Sequence, residues 1–155
     1  MEQVLGLNKA DAAQAVSLFL AAMIVGRILG SRLVQRFSTQ AVVTVSIIIA
    51  GIGFLLFWKA EGVFLGLSGL FLTGLGVANL YPLILSLAIS AANGNTVQAG
   101  ARATLASGTA ILALPLVLGS FADGIGIRLA YGVVLILLIS VFLINQIAGR
   151  SSFVR

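Results

Sequence analysis

Few side chains in this sequence can carry chemistry. Histidine and cysteine are both absent, and there are only four carboxylates: Glu2, Asp11, Glu61 and Asp123. Without imidazole or thiolate there is no Ser-His or Cys-His nucleophile, no histidine proton relay and no thiolate or imidazole metal site. All four acids sit at the breaks between long apolar runs. No carboxylate is therefore held mid-run, where it could act as a general acid or proton carrier. An enzyme is not expected, and neither a cofactor nor a metal is implied. What remains is hydrogen-bonding chemistry from amides and hydroxyls inside the apolar runs: Asn79, Thr73 and Thr109, with Tyr81 two residues beyond Asn79. An amide in such a setting either bonds a neighbouring helix or lines a polar cavity for a solute. Two residues apart on a helix, Asn79 and Tyr81 point about 200° apart, so one should face a cavity and the other a neighbouring helix. Gly76, one turn before Asn79, leaves space beside the amide, which assigns Asn79 to the cavity. Val77 and Leu85 around Tyr81 suit packing.

The elements that position these groups follow from composition. Of 155 residues, 60% are hydrophobic and only 8% charged, and mean hydropathy is +1.18. A soluble domain carries about 25% charged residues. The solvent facing most of this surface is therefore lipid. The net charge of +5 does not indicate nucleic acid, because the basic residues punctuate apolar runs instead of forming a patch interleaved with aromatics. Five segments are long enough to cross the hydrocarbon core: Ala12 to Gly30, Ala41 to Trp58, Val63 to Ala91, Ala101 to Phe121 and Leu129 to Ala148. The third is overlong and should tilt or bend at Tyr81-Pro82. Period-two alternation is absent, so the fold class is all-α, a polytopic helix bundle forming a single membrane domain over residues 1–155.

Five spans make the connecting segments alternate sides. One side receives Arg27, Arg32, Arg36, Arg102, Arg150 and Arg155; the other receives Lys9, Lys59, Arg128 and all four acids. Six basic residues against three place the first side in the cytoplasm. The N-terminus is then outside and the C-terminus inside.

The spans also differ in texture. The second and fifth are bulky and aliphatic, whereas the first, third and fourth are rich in small residues. Ala22, Gly26 and Gly30 form a ladder at four-residue spacing, as do Gly100, Thr104 and Gly108. Small residues mark close helix approach in lipid. These ladders are read as helix-packing faces. Spans one, three and four are expected inside a bundle and spans two and five at its periphery.

The stretch GRILGSRLVQRFS, residues 26 to 38, resembles the basic loop after the eighth helix of major facilitator superfamily transporters. In that likeness Gly30, Arg32 and Arg36 belong to the cytoplasmic loop motif, with Gly30 at its first glycine and Arg36 at its arginine. Gln35 stands where the motif has an acid, and Ser38 where it has a later glycine. GLGVANLYPLILSLA is similar to the tenth helix of such transporters. PLVLGSFADGIGIRLAY resembles the end of the eleventh and the turn into the twelfth, through Gly119, Ala122, Asp123 and Gly126. The resemblance covers almost the whole chain and implies a partial C-terminal half, helices eight to twelve of twelve.

The resemblance implies transmembrane transport of a small solute by alternating access, with the chain a C-terminal fragment inactive by itself. Its partners would be the lipid bilayer, the missing N-terminal half and a small-molecule substrate, and its place the cell membrane. A small standalone integral membrane scaffold or assembly partner is the alternative.

Overall fold

The computed structural model describes residues 9–92 and 94–152. Glu2, Asn93 and Arg155, used above for topology and turn chemistry, lie outside the described residues, as do the side chains of Lys9, Asp11, Arg128 and Arg150. Among the described residues the regular elements are all helices: α1 (Lys9–Leu33), α2 (Thr39–Trp58), α3 (Val63–Val77), α4 (Leu80–Ser90), α5 (Thr96–Ile125), the single turn α6 (Ile127–Ala130) and α7 (Gly132–Ser152). Five stretches are long and apolar enough to cross a membrane: Ala13–Leu33, Thr39–Trp58, Val63–Ser90, Thr96–Ile125 and Gly132–Gly149. The fold is a polytopic α-helical membrane bundle.

The fourth span starts earlier and ends later than its composition suggests. Thr96 begins α5 after a turn at Gly94, whose φ of 94° favours glycine. The helix then runs through Pro115 to Ile125, which brings Asp123 into its last turn, on an exposed position. Gly126, at φ 87°, stops it, and its N–H closes back on the Ala122 carbonyl at 3.0 Å.

The third span is broken, though not at Tyr81-Pro82. Its 28 residues would reach about 42 Å as one straight helix, well beyond the hydrocarbon core. The break falls at Ala78-Asn79, between α3 and α4. Pro82 explains the position. Lacking an N–H, it cannot bond the carbonyl four residues back, that of Ala78, and it is tolerated in the first turn of a new helix, where it now sits.

The core is the packing of α3 between α1 and α2. Three glycines set the α2–α3 distance: a Cβ on Gly53 would run into the Thr73 backbone, one on Gly69 into Phe57, and one on Gly76 into Ala50. This seam corrects the expected order of burial. Span two is the most enclosed, with 44% of its central window buried; span four is the least, at 0%. The bulky span two has a small-residue face of its own (Ser46, Ala50, Gly53) and puts it against the glycines of α3. The glycines of span four have no such partner among the described residues. Span five is peripheral, 6% buried, and rests on α2.

Candidate functional site

Three polar side chains of the described spans are buried, Ser46, Asn79 and Asn145, and the one that reaches across to α1 is Asn79. It occupies the α3–α4 break and is 8% exposed. Its Nδ2 donates to the Gly26 carbonyl on α1 at 2.7 Å. A Cβ on Gly30, one turn further along α1, would collide with the same amide. Gly26 is equally constrained, since its Cβ would sit 2.7 Å from the Leu75 carbonyl oxygen and 2.9 Å from the Ala78 Cβ. Ala22 completes the contact, fully buried beside Gly74. The ladder of α1 is thus a groove into which the break in the third span fits.

The cavity role expected for Asn79 is not what its contacts support. Asn79 is the residue that faces a neighbouring helix. Tyr81 is 50% exposed, and its hydroxyl makes no hydrogen bond to any described residue. The space expected beside Asn79 from Gly76 is taken up by Ala50 of α2, because Gly76 faces the α2 seam.

Thr73 and Thr109 are in other settings. The Thr73 hydroxyl donates to the Gly69 carbonyl of its own helix at 2.7 Å, beside Gly53 of α2. The Thr109 hydroxyl donates to the Leu105 carbonyl at 2.9 Å on the exposed surface of α5. Both satisfy themselves within their helix, as Thr does in apolar surroundings. No hydrogen bond joins any two of Asn79, Thr73 and Thr109. Along α5, Gly100, Gly108 and Gly119 have no atom within 4 Å of where a Cβ would stand, and Thr104 is exposed.

The basic turn is built as a helix stop followed by a helix start. The Leu33 carbonyl accepts from the N–H groups of Arg36 and Phe37 at 3.0 and 2.9 Å, ending α1. Ser38, in extended backbone, caps α2 by accepting from the Ala41 N–H at 3.3 Å. Arg27, Arg32, Gln35 and Arg36 are all exposed, and none of the three arginines pairs with an acid among the described residues.

Sequence reasoning missed a second polar tie. Asn145 of α7, also 8% exposed, donates from Nδ2 to the Thr44 hydroxyl at 2.8 Å, while its backbone carbonyl accepts from Gln40 Nε2 at 2.7 Å. Thr44 in turn donates to the Gln40 carbonyl at 2.9 Å. Gly149, one turn beyond Asn145, leaves room for the Gln40 amide. An asparagine near the end of an apolar run was the available signal, and only its pairing across 101 residues gives it meaning.

With five spanning helices, glycine seams and a broken third span in place, the comparison with known families is decisive. The chain matches the model of the Major Facilitator Superfamily over residues 1–149. It belongs to that superfamily. Superfamily members are transporters, and the chain is accordingly a multi-pass membrane protein of transporter type. No curated protein and no solved structure matches it.

Proposed function

We propose that this chain supplies the C-terminal part, helices eight to twelve, of a major facilitator secondary transporter that moves a small solute by alternating access. In such transporters substrate binds near the midplane between pseudo-symmetric repeats that rock against each other. The observation that carries this reading is the superfamily match across residues 1–149 in a chain whose described residues form five membrane-crossing helices. The small-residue positions of α5 support it, since no described residue of another helix lies within 4 Å of where a Cβ would stand on Gly100, Gly108 or Gly119. Thr109, exposed on that helix, is the candidate for contact with solute, whereas Asn79 and Thr73 hold helix seams.

Orientation is proposed with the N-terminus outside and the C-terminus in the cytoplasm of the cell membrane, from six basic residues against three. The chain carries no reaction chemistry, so its task is positioning and movement. Reconstituted alone in vesicles, it is expected to show no saturable uptake of any solute in a broad panel. Saturable uptake would overturn the fragment reading. An open frame upstream of Met1 encoding seven further spans would support it, and an in-frame stop there would favour the standalone scaffold.

A further inference from the structure

Two arginines lie roughly 9 Å inside the ends of their spans, Arg27 before Leu33 on α1 and Arg102 after Thr96 on α5. They are not equivalent. Side chains lean towards the N-terminus of their helix. Arg102 therefore leans outward along α5, whose 30 residues exceed the hydrocarbon core in any case. Arg27 leans the other way, towards the middle of a 21-residue span with no length to spare. It is exposed and has neither a hydrogen bond nor an ion pair among the described residues. No carboxylate of the chain stands at its level. Asp11 is about 24 Å back along the same helix and Glu2 precedes that helix. Glu61 follows the far end of α2 and Asp123 lies in the last turn of α5, both across the bilayer from it. Arg27 also stands in line with other residues. Val16, Leu20 and Ile24, exposed at 48, 53 and 63%, come before it and Ser31 after it, all within about 80° around α1. This stripe lies beside the Ala22, Gly26 and Gly30 face that holds α3.

We propose that this stripe docks a membrane helix from outside the chain, one that presents a carboxylate opposite Arg27. Charge decides the partner. A guanidinium within a span is costly unless it is paired, and an acid on a facing helix pairs it. The apolar run leading to it, about 16 Å from Val16 to Arg27, is the footprint of a helix and not of a small free anion. Lipid phosphate is the poorer match, because Arg27 leans away from the nearest headgroups. A second copy of the chain fails for want of an acid: laid alongside in the same orientation it brings none to this depth, and about a two-fold axis it sets Arg27 against Arg27. The N-terminal part of the transporter proposed above is the source of such a helix, and to that extent the inference rests on that reading.

The test uses the full chain in phosphatidylcholine vesicles at mildly alkaline pH, with a fluorophore on Gln35→Cys, the chain having no cysteine of its own. The probe is a labelled leucine-alanine helix of about 20 residues with one Glu at the depth of Arg27, and energy transfer reports association. The Glu helix is expected to associate several-fold more tightly than the same helix with Gln in that place. Arg27→Gln, at an exposed position, should bring the Glu helix down to the Gln level, and Arg27→Lys should keep most of the difference. Moving the Glu two turns deeper should abolish it. Equal association of the Glu and Gln helices overturns the proposal, as does a Glu preference that survives Arg27→Gln. Loss of the preference when phosphatidylglycerol replaces part of the phosphatidylcholine would overturn it by assigning Arg27 to lipid phosphate. Self-association of the chain that the Glu helix does not displace would overturn it by giving the stripe to a second copy. Saturable uptake by the chain alone would remove the fragment reading without altering any of these outcomes, so the two fail separately.

Discussion

The side-chain amide of Asn79 donates to the backbone carbonyl of Gly26, 53 residues earlier, at 2.7 Å. The bond couples the break in the third span to the first helix, and it forms only because α1 presents glycine on both sides of it. Gly26 lets the Leu75 backbone and the Ala78 Cβ approach, and Gly30 leaves the volume that the amide fills. In hydrocarbon, an unpaired amide at that depth would cost several kcal/mol, so the break and the glycine ladder depend on each other.

Replacing Asn79 with Ala is therefore expected to loosen α1 from the α3–α4 break. Interhelical hydrogen bonds in membranes average about 0.6 kcal/mol, with a maximum near 1.7. Asn79→Ala should destabilise by an amount in that range, read from thermal denaturation in detergent. Gly30→Leu should cost more, because its side chain would displace the amide and also break the bond. If Asn79→Ala is as stable as the wild type while Gly30→Leu folds normally, the clasp is not structural.

The seam between α2 and α3 gives a second expectation. Gly53→Val and Gly69→Val each push a side chain into the backbone of the facing helix. Overpacking of this kind costs roughly 1–3 kcal/mol. Gly119→Val, on the open face of α5, should not lower the melting temperature of the isolated chain, because nothing stands within 4 Å of its Cβ position and Val is the better helix former. Equal effects at all three positions would contradict the seam.

The number of spans and their order were legible because lipid makes length and hydropathy nearly sufficient for finding helices. The position of the break was not. The proline drew attention to Tyr81-Pro82, but its missing donor acts one turn earlier, at Ala78, so the helix stops there. Burial within the chain was misjudged for the same kind of reason. Texture says which faces can approach closely, not which partner is present. Span two is rich in bulky residues yet has Ala50 and Gly53 aligned on one face, and α3 has Gly69 and Gly76 to meet them. Span four has an equally suggestive ladder, but no described residue of another helix packs against its Gly100 or Gly108. Asn79 was recognised as a polar group needing a reason, but its direction depended on α1, which sequence spacing along one helix does not report.

The tie between α2 and α7 should behave as a coupled unit. Thr44→Val removes the acceptor of the Asn145 amide, and Asn145→Ala removes the donor. Each alone should destabilise by up to about 1.7 kcal/mol, and the double variant by clearly less than the sum, as residues in one hydrogen-bond network do. Strict additivity in denaturation measurements would mean that the two side chains do not interact.

Gly126 supplies the last expectation, from backbone geometry alone. It ends α5 with a φ of 87°, while Gly124, two residues earlier, lies within the helix. At neither position does any atom lie within 4 Å of where a Cβ would stand, so packing does not distinguish them. Conformation does. Gly126 has ψ 148°, a positive-φ extended conformation that is essentially confined to glycine and costs an L-residue about 1–3 kcal/mol, whereas Gly to Ala inside a helix gains about 0.5–1 kcal/mol. Gly126→Ala should therefore lower the melting temperature and Gly124→Ala should raise it slightly. The two shifts should have opposite signs in the same detergent. Shifts of the same sign would show that the turn between α5 and α6 does not hold Gly126 at positive φ.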